Sequence, residues 1–157
     1  MAYTHGFSIG PLLGIDFSKK HTTAQHKVGT VAFDSKGRKL VYVKANGTIA
    51  VGNLVKAANN DDPFTNVVIG TASNANTKVL GMTPLALVAG DFAWIVSTGP
   101  FEDDAQIVSA SVAPGDPLIC DANGDCTIAV ETDINTTIGH CLVDDTGNVG
   151  SVYLDCS

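Results

Sequence analysis

The chain has 157 residues, 45% of them apolar, and a formal net charge of −7. A chain of this length forms one domain and can bury ~70% of its unfolded surface, so it needs no metal or disulfide to fold. The net acidity excludes nucleic-acid binding as the main role, and no stretch of about 18 apolar residues is present to span a membrane.

Charged residues make up 16% of the chain, low against the usual ~25%, which leaves more surface for protein contacts. The charge is also polarised. Residues 1–60 hold eight of the nine Lys and Arg against Asp16 and Asp34, a net of +6, whereas residues 61–157 hold Lys78 and fourteen acids, a net of −13. Such polarity can steer like copies head to tail, or a basic segment onto an acidic partner. The opening "MAYTHGFSIGPLLG" has neither the basic region nor the continuous apolar stretch of a signal peptide. The expectation is a soluble protein made in a cytoplasm.

Residues 1–27 read as an extended arm. Gly6, Gly10, Pro11 and Gly14 break any periodicity, while Phe7, Ile9, Leu12, Leu13, Ile15 and Phe17 are apolar. An arm that carries apolar side chains without forming a helix must lay them on its own body or on a neighbour. "SKKHTTAQHK" follows as a polar, basic connection that contains Lys19 and Lys20. These eight residues, Phe7 to Lys20, are the candidate partner-binding set.

Residues 28–157 read as an all-β body, a compact barrel or sandwich. "VGTVAF" predicts a strand, "DSKG" a turn, and "KLVYVKA" a strand with Val41 and Val43 on one face and Tyr42 on the other. Asn46-Gly47 offers the positive φ of a tight hairpin, which would send "TIAV" back as a strand. "NLVKAAN" could form a helical turn or two, kept short by Gly52 and Asn59. "ANNDDPFTN" is a loop, "VVIGTA" a strand, and "VLGMTPLALVAGDFAWIVSTGP" two or three strands. "QIVSASVAPGDPLICDANGDCTIAV" continues the rhythm, and "TTIGHCLVDD" with "GSVYLDC" closes as a hairpin. Turns every eight to twelve residues or so are the signature of a sandwich or barrel.

The candidate chemistry is thin. "GFSIG" matches a nucleophile elbow by letter, but the elbow needs a strand before the Ser and a helix after it, and Pro11 follows here. "DANGD" starts like a calcium loop, but Cys126 and Thr132 stand where Gly and Glu are required, so a hairpin turn on Asn123-Gly124 explains it. His21 and His26 lack a third ligand. His140 and Cys141 are neighbours on a strand and must point to opposite faces, so they cannot act as a Cys–His pair. Glu102, Asp103 and Asp104 read as a solvated loop, and Trp94 as core or subunit interface. Cys120, Cys126, Cys141 and Cys156 form no C-x-x-C. Cys120 and Cys126 could face each other across a hairpin at disulfide distance, and in a reducing cytoplasm would stay thiols. The residues thus point away from an enzyme, with no cofactor and no metal.

"VGTVAFDSKGRKLVYVKANGTIAVGNLV" resembles the head decoration, or capsid cement, proteins of tailed bacteriophages. The match runs through Gly29-Thr30, Gly37, Val41-Tyr42-Val43-Lys44-Ala45, Ile49-Ala50, Gly52 and Val55. Gly90, Trp94 and Gly99 in "GDFAWIVSTGP" resemble a further segment of the family, and "APGDPLICDANG" its next hairpin, so the likeness covers roughly residues 28–130. The cysteines and the acidic C-terminal half depart from the pattern. The resemblance implies an all-β body, often a homotrimer, on the outer surface of the virion head. There it would bridge neighbouring major capsid proteins and stiffen the shell, with the apolar arm as a strap. The rival reading is a receptor- or glycan-binding β-module of a phage tail or a secreted protein.

Overall fold

The computed structural model describes residues 16–58, 63–69, 79–107, 112–130, 137–144 and 149–156. These residues are all-β. The strands are β1 (Val31–Phe33), β2 (Lys39–Lys44), β3 (Leu54–Ala57), β4 (Val67–Ile69), β5 (Val79–Met82), β6 (Phe92–Gln106), β7 (Pro117–Cys120), β8 (Cys126–Ile128), β9 (Gly139–Asp144) and β10 (Val149–Asp155). Every ladder is antiparallel, and the order is β4-β3-β5-β6-β10-β9-β7-β8, with β2 pairing both β6 and β1. The sheet does not close into a barrel and is sandwich-like.

The long strand β6 organises the sheet. Val96 pairs with Leu40 on β2 and with Met82 on β5, and Thr98 pairs with Lys39 on β2 and with Asp155 on β10. A strand has two edges, so β2 holds one while β5 and β10 share the other. One strand therefore ties the first half of the chain to the last.

The apolar runs in β2 and β6 show why these two strands sit centrally. Leu40, Tyr42, Trp94 and Val96 enter one core cluster, and Val41, Val43, Ala93 and Ile95 enter the other. All eight are buried, so both faces of the β2–β6 pair are covered. The first cluster continues through Phe101, Leu118, Val152, Leu154 and all four cysteines. The second is closed by Ile49, Val55, Val67 and Leu87.

Four local expectations are corrected. Residues 49–51 do not return along β2. Ala45 exchanges backbone bonds with Gly90 and Asp91, Asn46 donates to Val67, and Ile49 pairs with Leu87, so the chain crosses to a different neighbour and Gly47 takes no positive φ. "LVKA" is strand β3 and not a helical turn, because Leu54 and Val55 each bury, one in each cluster. Glu102 to Asp104 lie within β6 and not in a loop, at a register shift between Phe101, which pairs with Val152 on β10, and Ala105, which pairs with Gly150. Val28 to Thr30 precede β1 as a turn in which Thr30 N–H donates to Lys27.

Two glycines are fixed by close approach of a neighbouring strand. A Cβ on Gly81 (φ +155°) would sit 2.3 Å from the Val96 carbonyl oxygen, and one on Gly139 (φ +148°) 1.8 Å from that of Tyr153. Gly139→Ala should lower unfolding free energy by about 2–4 kcal/mol, combining backbone strain with overpacking. Gly47→Ala, which meets open space, should stay within about 0.5 kcal/mol. Denaturant midpoints at constant m-value read both; coincident midpoints for Gly139→Ala and the parent would contradict the strand approach.

Candidate interaction surface

Residues 16–27, the described part of the expected arm, are built into the body. His21 N–H donates to the Phe92 carbonyl at 2.8 Å and the Phe92 N–H returns a bond to His21 at 2.7 Å. The neighbouring Lys20 ammonium lies 2.8 Å from Asp91, whose carboxylate also accepts from the Val88 N–H. The His26 ring then stands 5.2 Å from both Tyr42 and Trp94, edge-on to the first and tilted to the second. Tyr42, fully buried, accepts a bond at its hydroxyl from the Gln25 N–H at 3.2 Å. Aromatic contacts of this kind contribute about 0.5–1.5 kcal/mol each beyond area burial, so residues 20–26 are held at several points.

Upstream, Phe17 packs half-buried against the first core cluster, and the Arg38 guanidinium covers its ring at 4.9 Å. Arg38 is itself held by buried Asp34, whose carboxylate accepts from the Arg38 Nε and from the backbone N–H of Lys36 and Arg38. Lys19 pairs with Asp16 at 3.1 Å. Of the predicted partner-binding set, Phe17, Lys19 and Lys20 thus have neighbours within the chain. Phe7, Ile9, Leu12, Leu13 and Ile15 lie outside the described residues.

The other sequence candidates resolve into structural roles. Asp121 accepts from the N–H groups of Asn123 and Asp125 and so shapes the β7–β8 turn, with Gly124 at φ +81°. That turn docks on β3: Leu54 N–H donates to the Gly124 carbonyl at 2.7 Å, and Asn53 Nδ2 donates to Asp125 at 2.6 Å. Burial, reinforced by Asp121, raises the Asp125 pKa. Cys141 is buried while its neighbour His140 is exposed on the opposite face. Trp94 is 1% exposed and belongs to the core. Among the described residues, no group of three His, Cys, Asp or Glu is placed to hold a metal ion.

Sequence reasoning missed the exposed apolar residues, because alternation shows which side chains share a face but not which face water reaches. Val31 (45% exposed) and Phe33 (39%) stand out from β1, and Tyr153 stacks on His140 with centroids 5.3 Å apart on the outer face of β9–β10.

Electrostatics at the arm root give a pH test. The hydrogen bond from Lys20 holds the Asp91 carboxyl below its ordinary value. A carboxylate with a depressed folded pKa contributes stability above its unfolded pKa, and that contribution is lost as pH falls through the folded value. Lys20→Ala should therefore cost about 0.5–1 kcal/mol at pH 7, discounted for the half-exposed ammonium, and progressively less as pH falls through the folded value of Asp91. Thermal melts of both proteins across this range read the difference, and a pH-independent gap would contradict the pairing.

The cysteines give a second test. None of the four forms a disulfide, and all are buried. Cys120 and Cys126 are direct cross-strand partners, but burial pushes the Cys120 thiol up to about 12 and also raises Cys126 above its ordinary value. A thiolate is the reactive form, so a thiol reagent at pH 7 should label none of the four in the native protein and all four after unfolding. Reductant should leave the melting temperature unchanged; a fall matching the ~2–5 kcal/mol of a lost native bridge would reveal a disulfide.

No protein-family model matches the chain, and no curated protein matches it. Among solved structures it is similar to the crystal structure of the head fiber gp8.5 N base in bacteriophage phi29, with a TM-score of 0.53 and 13% sequence identity, over 75% of this chain and 94% of that one. At this identity the likeness is one of fold: most of this β-body follows an arrangement also used in the base of a phage head fiber.

Proposed function

We propose that the chain is a structural protein of a bacteriophage head, which binds the outer surface of the shell, bridges major capsid proteins and has no turnover chemistry. The observation that carries this reading is the fold likeness to a phage head fiber base across three quarters of the chain. Two features support it. The arm root is pinned to the β2–β6 core at His21, Gln25 and His26, so the apolar stretch before Asp16 starts from a fixed point on the body. The charge polarity, +6 before residue 61 and −13 after it, suits oriented contacts between subunits. A protein of this kind acts through several weak contacts closed into a network at high effective concentration.

The exposed Tyr153–His140 stack favours a second reading, a glycan- or receptor-binding module, since an exposed aromatic ring offers an apolar face with a polar tip.

One experiment separates the two. Shells carrying the protein should release DNA, read by dye fluorescence, at higher temperature or harsher osmotic shock than shells without it. Binding to assembled shells should also exceed binding to free capsid protein. Identical release curves at demonstrated high occupancy would reject the bridging role and leave the binding module.

A further inference from the structure

Charge is sorted across the sheet. From one end the strands run β1-β2-β6-β10-β9-β7-β8. Residues 16–44, which include β1 and β2, hold seven Lys and Arg against Asp16 and Asp34, a net of +5, and no Lys or Arg occurs from Val79 onward. The formal charges of β6 to β10 are therefore all negative. The two ends of the sheet differ in sign, and each carries exposed apolar side chains. At the basic end Val31 and Phe33 are 45% and 39% exposed, and Phe33 pairs with Lys39. Neither Lys27 nor Lys39 forms an ion pair among the described residues. At the acidic end the register aligns Pro100 with Tyr153, Tyr153 with His140, and His140 with Pro117. Residues directly opposite across a sheet share a face, so four ring side chains cross β6, β10, β9 and β7 in one row of about 14 Å. Tyr153, His140 and Pro117 are exposed, and Pro100 is half-buried. Exposed Asp155 lies two residues beyond Tyr153 on the same side of β10, and Asp116 adjoins Pro117 in the chain.

We infer that this row receives a second copy of the chain, whose Val31 and Phe33 pack on Tyr153, His140 and Pro117. Charge selects this partner. The cations around Val31 and Phe33 come to lie beside Asp155 and Asp116, and opposite signs across a contact steer the encounter and fix its orientation. If either patch met its own equivalent, like charges would oppose. The contact is therefore head to tail, and it closes into a ring when the rotation allows. One chain cannot make the contact with itself, because β1 and β9 lie four strand spacings apart in the same sheet, about 19 Å. The Tyr153 and His140 rings lie 14° from parallel with centroids 5.3 Å apart. A pair stacked in this way presents less open ring face to a sugar than a lone aromatic does, and keeps its apolar contact area for side chains.

The contact goes beyond the shell-binding reading and is tested without shells, on the purified full-length protein. Sedimentation should show a concentration-dependent oligomer whose dissociation constant rises about threefold or more from low to high salt. Tyr153→Lys places a cation in the row and opposes the basic end. Phe33→Glu places a carboxylate at the basic end, opposite Lys39 of its own chain, and opposes the row. Each variant alone should associate about tenfold or more weakly than the parent, with a melting temperature close to the parent's. An equimolar mixture should reassociate, because the unaltered row of the Phe33→Glu chain meets the unaltered basic end of the Tyr153→Lys chain. Pro117→Lys with Val31→Glu repeats the cycle at separate positions if one of the first pair folds poorly. A monomeric full-length protein at high micromolar concentration would overturn the inference. So would parent-like association of either folded variant alone, or a mixture of folded variants that stays dissociated. Oligosaccharide binding by a monomer, lost in Tyr153→Lys, would overturn it in favour of the glycan-binding reading.

Discussion

The structure depends on the pairing of β2 with the first half of β6, and within it on Tyr42 opposite Trp94. These two side chains are direct cross-strand partners with ring centroids 5.0 Å apart, and both are all but inaccessible to water. Cross-strand aromatic pairs stabilise a sheet and fix its register together. A slip of one residue would exchange Leu40 and Tyr42 with Val41 and Val43 between two clusters of very different shape. Because both faces of this pair are buried, neither choice of face is open to solvent, and the register is specified twice. The remaining elements follow from it. The second half of β6 carries β10, which carries β9 and β7 in turn, and the Tyr42 ring receives the arm root through His26 and Gln25.

Much of this was legible because the signals were local. The alternation at Val41, Tyr42 and Val43, the Asn123-Gly124 turn and the closing hairpin all rest on periodicity or turn chemistry, and each stands in the structure. The errors share one physical origin. Asn46-Gly47 has hairpin letters, but the backbone of Ala45 and Asn46 finds partners in Gly90, Asp91 and Val67, which are distant in sequence. The acidic run after Gly99-Pro100 reads as a loop by composition, yet β10 pairs with Phe101 and Ala105 on either side of it, so the strand continues through it as an irregularity in the ladder. Leu54 and Val55 could begin a short helix, but burial in two opposite clusters requires the two-residue period of a strand.

The candidate surface was less legible than the fold. Apolar residues in the arm were visible in sequence, but the anchoring of its root was not, because it uses the backbone of His21 and Phe92 and the buried carboxylate of Asp91. Nor could sequence rank the sheet edges. An edge is closed or open according to which distant segment crosses it, as Ala45 and Ile107 do at β4 and β8.

The cysteines show how stability and interaction are kept apart in this chain. Cys120 and Cys126 occupy a non-hydrogen-bonded cross-strand pair, since the flanking bonds fall at Asp121–Asp125 and Pro117–Ala129. That pair type brings Cα atoms to ~4.5 Å, inside the range a disulfide accepts. The thiols nevertheless serve as small apolar groups in the main cluster beside Leu118, Val152 and Leu154. A body that needs no covalent staple draws its stability from the cluster that β6 spans, and that cluster runs through both halves of the chain. Changes at the exposed side chains of β1 and β10, such as Val31, Phe33 and Tyr153, leave it intact. The residues at those places can therefore vary without loosening the fold.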